Sequence, residues 1–147
     1  MPICLCAKQM PKKLERVYMM SKPISVLVIE DEEHIRSILE YNLNLDGFEV
    51  YLAEDGLKGL ELASEKKPDM ILLDWKMPEM DGLGVLFKLK ADERTKNIPV
   101  FMLTINKMPC HVRAAINEGV DGYFAKPFDP TKVGPTLRHK LQKMVKS

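Results

Sequence analysis

The chain has 147 residues, 46% of them apolar, enough for one domain around one core and too few for a second folded unit. With 22 Lys plus Arg against 21 Asp plus Glu there is no global field to draw in nucleic acid or a membrane surface, so any specificity has to be local. Apolar runs such as 71–73 and 100–103 are far too short to span a bilayer and the N-terminus lacks the apolar stretch of a signal peptide, which predicts a cytoplasmic protein.

Residues 1–19 differ from the rest, with Lys8, Lys12, Lys13 and Arg16 against Glu15 alone and no strand or helix period, and they read as a disordered extension. The domain is expected over 20–147, with Met19 or Met20 as a plausible native start and no output domain after Ser147. Cys4, Cys6 and Cys110 are an odd number without an export signal, so free thiols are expected, and Cys4 and Cys6 lack the second ligand pair of a structural metal site.

From Met20 onward, short apolar runs alternate with segments of helical spacing, the pattern of a βα series closing on a parallel sheet. Residues 25–29 form a first, nearly unbroken apolar strand, as a strand covered on both faces should. Ile35, Ile38, Leu39 and Leu43 predict a first helix with its stripe toward the sheet. Phe48, Val50 and Leu52 alternate with Glu49 and Tyr51, which puts the second strand at an edge. Leu57, Leu60 and Ala63 mark the second helix, 70–73 the third strand, and Leu83, Leu86, Phe87 and Lys90 the third helix. Pro99 opens the fourth strand at 100–103, Val112, Ala115, Ile116 and Gly119 mark the fourth helix, and 123–125 make a short fifth strand. Val133, Leu137, Leu141 and Met144 mark the fifth helix, whose Gly134-Pro135 is unusual: either the helix starts with Pro135 in its first turn or its opening is kinked.

In an open parallel sheet, ligands sit beyond the carboxyl ends of the strands. The residues there are Glu30 and Asp31, Asp74, Thr104 and Lys126. Three carboxylates crowded together repel one another unless a cation intervenes, and hard oxygen donors on a wet rim suit Mg²⁺. Asp74 is then placed to form an acyl phosphate, Lys126 to stabilise charge and Thr104 to donate a hydrogen bond to a phosphoryl oxygen. Each piece alone has an ordinary reading, such as an acidic first turn or a helix cap, and only the conjunction is specific.

Glu30-Asp31 after an apolar strand, the run 72–78 followed by Asp81-Gly82, then Thr104, and the run 123–128 together resemble the receiver domain of two-component response regulators, chemotaxis regulators included. The resemblance covers about residues 23–146 and implies a flavodoxin-like, doubly wound α/β fold: five parallel strands in the order 2-1-3-4-5 with five helices. It implies a phosphorylation-dependent switch rather than an enzyme, with Asp74 as phosphoacceptor, Asp31 as direct Mg²⁺ ligand, Glu30 acting through water and Lys76 lending its backbone carbonyl. It further implies Thr104 and Lys126 as phosphate-sensing residues, Tyr123 as the aromatic that follows Thr104, and a cis peptide before Pro127. The implied partners are a histidine kinase or histidine phosphotransfer protein, and a protein target on the face made by the fourth helix, fifth strand and fifth helix. Homodimerisation on phosphorylation is left open, as are kinase, target and signal.

Bulky Ile105, where the family usually has a small residue, leads us to expect slow phosphoryl turnover. Two rivals are an aspartyl-phosphate-forming phosphatase and a receiver-like interaction module that is never phosphorylated. Against the first, Lys76 stands where such an enzyme resembling the haloacid dehalogenases needs an acidic residue. Against the second, Asp31, Asp74, Thr104 and Lys126 are all retained. A flavodoxin-like cofactor role is disfavoured because the acidic run 30–33 would repel a phosphate.

Overall fold

The computed structural model describes residues 22–77, 81–104, 110–117 and 119–146. The extension 1–19, the Cys4 and Cys6 pair, Pro78 and Ile105 therefore lie outside the described residues. Strands β1 (Ser25–Ile29), β2 (Glu49–Ala53), β3 (Met70–Asp74), β4 (Val100–Thr104) and β5 (Gly122–Ala125) alternate with helices α1 (Glu33–Leu45), α2 (Gly56–Lys66), α3 (Gly82–Ala91), α4 (Cys110–Asn117) and α5 (Pro130–Lys146). All strand pairs are parallel and the order is β2-β1-β3-β4-β5.

The unbroken apolar strands follow from a sheet covered on both faces. Successive side chains alternate between faces, so Leu27, Ile29, Ile71, Leu73, Val100 and Met102 join one core with Ala63, Val85, Leu86, Leu89 and Ile116 of α2, α3 and α4. Val26, Val28, Met70, Leu72, Phe101 and Leu103 join the other with Leu39, Leu43, Val133 and Leu137 of α1 and α5. Every residue of β3 is buried, and each apolar side chain there contributes about 1.5–3 kcal/mol. The edge strands are less covered: β2 begins with exposed Glu49, and β5 alternates half-buried with exposed positions.

Some leucine stripes turn out differently from the sequence expectation. Of the α2 stripe, Ala63 is buried and Leu60 packs against the core as expected, but Leu57 is 62% exposed, and Gly56 and Gly59 are the other buried positions of the helix. A Cβ on Gly59 would sit 2.5 Å from Ile29 Cδ1, so the helix lies too close to the sheet there for a larger residue, and Leu57 stays outside the core that Leu60 and Ala63 join. Ile38 and Phe87 are likewise exposed, while Leu39 and Leu43, and Val85, Leu86 and Leu89, take the inward positions. The fifth helix does not start at Pro135. Pro130 opens it, after Asp129 Oδ1 accepts from the Thr131 N–H at 3.0 Å, and exposed Pro135 lies inside. Among the described residues no helix is long and apolar enough to cross a membrane.

Candidate phosphoacceptor and metal site

The chain runs from β1 outward to β2, then crosses back to β3 and continues to β5, so the order reverses between β1 and β3. A crevice opens at the carboxyl ends of strands flanking such a reversal. Ile29 pairs with Leu73, which sets Glu30 beside Asp74 as the two strands end. Thr104 pairs with Ala125, and Lys126 follows with its N–H bonded to Thr104 O at 2.7 Å. The Lys126–Pro127 peptide is cis, as the resemblance implied.

Lys126 Nζ lies 3.1 Å from Asp74 Oδ1 and 3.3 Å from Glu30 Oε2, joining three separate strand ends. Glu30 is fully buried and Asp74 is 4% exposed, whereas Asp31 stands on the open rim. Glu30, Asp31 and Asp74 each offer a carboxylate oxygen within 4.8 Å of the others. A cavity of about 330 Å³ collects these groups and is walled by Trp75, Lys76 and Leu103. Behind Asp74 and Trp75 a glycine is required at 82: the Gly82 N–H donates to Trp75 O at 2.6 Å, and a Cβ would fall 2.6 Å from Asp74 O. Asp81 caps α3 by accepting from the Gly84 N–H, which accounts for the Asp81-Gly82 pair noted in the sequence.

Burial, followed by the charge of Asp74, pushes the Glu30 carboxyl up to about 8, against the pull of Lys126. Burial likewise raises Asp74, again opposed by Lys126. Burial disfavours the Lys126 ammonium, but Asp74 and Glu30 outweigh it and its pKa is raised. Desolvation thus leads mutual repulsion, the cause expected from sequence, and one ammonium does not satisfy the acidic cluster. The donor set is all hard oxygen, close together and open to water on the Asp31 side, which fits Mg²⁺.

Of the residues singled out from sequence, Glu30, Asp31, Asp74, Lys76 and Lys126 meet in this cavity. Lys76 also donates its N–H to Asp74 Oδ1 at 3.4 Å. Thr104 and Tyr123 do not line it: Thr104 is half-buried at the end of β4, and Tyr123 is 40% exposed on β5. Sequence reasoning overlooked Arg36, whose Nη1 reaches back from α1 to the carbonyl oxygens of Glu30 and Asp31. The only signal for it was a cation five residues after Asp31, in the first turn of α1.

The pattern of the family described as the response regulator receiver domain matches residues 26–138, most of the chain. The chain belongs to that family. Receiver domains are phosphorylation-dependent switches of two-component signalling, and phosphoaspartate and Mg²⁺ binding are general features of the family. This receiver is 37% identical over 118 residues to the DNA-binding dual master transcriptional regulator RpaA of Synechocystis sp., covering 80% of this chain and 49% of that protein. It is 35% identical to the alkaline phosphatase synthesis transcriptional regulatory protein PhoP of Bacillus subtilis, covering 80% of this chain and 48% of that one. It therefore spans about half the length of the curated relatives it matches. Among solved structures, the chemotaxis protein CheY4 of Vibrio cholerae superposes with a TM-score of 0.73 at 30% identity, covering 80% of this chain and 98% of that one.

Proposed function

We propose that Asp74 accepts a phosphoryl group from a histidine kinase or a histidine phosphotransfer protein, and that the phosphorylated receiver changes its binding to a downstream protein. The observation that carries this reading is the convergence of Asp31, Asp74 and Lys126, from separate strand ends, on one water-accessible cavity.

Asp74 attacks phosphorus through a carboxylate oxygen as the bond from phosphorus to the donor imidazole breaks, and the released imidazole takes a proton from solvent. Lys126 favours the ionised carboxylate that burial opposes, and its ammonium follows the charge onto the phosphoryl oxygens as they arrive. Glu30, Asp31, Asp74 and the Lys76 carbonyl are the groups that would hold Mg²⁺, which when bound supplies positive charge against both the carboxylates and the phosphoryl oxygens. Thr104 donates a hydrogen bond to the phosphoryl group only once it is present, so Thr104 moves toward the cavity and Tyr123 on the neighbouring strand follows. The moving residues lie on β4 and β5, which puts the output on the α4, β5 and α5 face. A cytoplasmic location belongs to the same reading.

The test is incubation with a small phosphodonor and Mg²⁺, then mass spectrometry. One acid-stable, base-labile phosphate on Asp74, absent from Asp74→Ala, is expected. Modification elsewhere overturns the assignment, and continuous substrate turnover points to a phosphatase instead.

A further inference from the structure

Asp31 is exposed, and among the described residues its carboxylate takes part in no hydrogen bond or ion pair. Something other than its side chain must therefore hold it toward Glu30 and Asp74. Strand β1 ends at Ile29, and the last anchor of the ladder is the Glu30 N–H bonded to Ala53 O at 3.1 Å. No main-chain N–H among the described residues bonds the Glu30 or the Asp31 carbonyl. Arg36 takes both: its Nη1 donates to Glu30 O at 2.8 Å and to Asp31 O at 2.8 Å.

These two oxygens belong to the two peptide planes that flank the Asp31 Cα. Each plane is rigid, so holding both fixes φ and ψ of Asp31 and with them the direction of its Cβ. The donor is well anchored, because Arg36 is itself in α1 with its N–H bonded to Glu32 O at 3.0 Å. Among the described residues Arg36 makes no ion pair, so its guanidinium serves the main chain rather than a carboxylate.

We propose that Arg36 is a positioning residue for divalent-cation binding: it clamps the Glu30 and Asp31 carbonyls from α1 and so aims the Asp31 carboxylate into the cavity. This role rests on the Mg²⁺ site of the preceding reading. Charge and geometry predict opposite signs, which makes the idea decidable. Removing a cation beside a cation site tightens Mg²⁺ binding by Coulomb attraction alone, whereas releasing the Asp31 backbone weakens it.

The experiment is Mg²⁺ titration of the full chain followed by fluorescence of Trp75, the sole tryptophan and part of the cavity wall, with urea unfolding of the metal-free proteins alongside. Arg36→Met is expected to weaken Mg²⁺ binding about tenfold. Arg36→Lys, which keeps a donor of similar reach, should recover most of that loss. If Arg36→Met does not fold, Arg36→Gln, polar but too short, decides by the same criterion. Unchanged or tighter binding by Arg36→Met, or by Arg36→Gln in its place, with normal binding by the unsubstituted protein, overturns the role of Arg36 alone. An unsubstituted protein with no saturable Mg²⁺ response overturns the cation site and this role with it.

Discussion

Two stretches of the sheet's carboxyl edge, one lining the cavity and one beside it, are built to different standards. On the β1 and β3 side, Glu30 and Asp74 are buried, bonded to Lys126 and backed by a strand with every residue covered. On the β4 and β5 side, Thr104 is half-buried, Tyr123 is exposed and β5 is a short edge strand. The contrast matches the two tasks proposed above. A phosphoacceptor needs a rigid, desolvated setting fixed before the reaction, while a switch needs groups that can move afterwards at small cost.

Lys126→Ala attacks the rigid side hardest. It leaves two buried carboxylates without their partner, so a destabilisation of about 3 kcal/mol at pH 8 is expected from urea unfolding in EDTA, shrinking toward pH 5 as the carboxyls protonate. A loss that does not depend on pH would mean that the pair matters through packing alone.

Glu30→Gln works in the opposite direction. The Glu30 pKa is raised from 4.5 to about 8, so the folded state holds the proton more tightly than the unfolded chain. Its stabilising contribution is complete below pH 4.5 and is lost as pH rises through 8. Removing the charge should therefore stabilise the metal-free protein by about 1–2 kcal/mol at pH 8 and not at all at pH 4. Urea midpoints across that range check it, and a variant less stable at pH 8 would contradict the sign.

Thr104→Ala probes the less covered side. Phosphorylation of Asp74 by a small donor should persist, while the change in partner binding is lost and stability moves by less than about 1 kcal/mol. Loss of labelling would place Thr104 with the buried, phosphate-accepting half instead. The smallest effects belong to Leu57→Ser and then Ile38→Ser, each within about 1 kcal/mol, since the residues are 62% and 45% exposed. A cost of 2 kcal/mol at either would show that the leucine and isoleucine stripes bury as the sequence pattern suggested.

Much of the site was readable because its residues follow strands that announce themselves. The apolar runs ending at Ile29 and Leu73 expose Glu30 and Asp74 as the first polar residues beyond, and Pro127 flags Lys126. The helix faces were less readable, because a period of apolar residues marks a helix without saying how near it sits to the sheet. On α2 Gly56 and Gly59 face inward beside the expected Ala63, and a count of leucines cannot reveal that. Arg36 escaped for a related reason: its partners are main-chain carbonyls, which carry no residue-type signature.

The sequence by itself determined the parallel α/β architecture and the chemical inventory of the cavity, since alternation of burial and the choice of acidic, hydroxyl and amine side chains are local properties of the chain. Only the tertiary structure decided the parallel register that sets Glu30 beside Asp74, the burial that raises their pKa values, and the reach of Arg36 around Asp31. Those depend on distances between segments far apart in sequence or on backbone atoms common to every residue, and neither is written in the order of side chains.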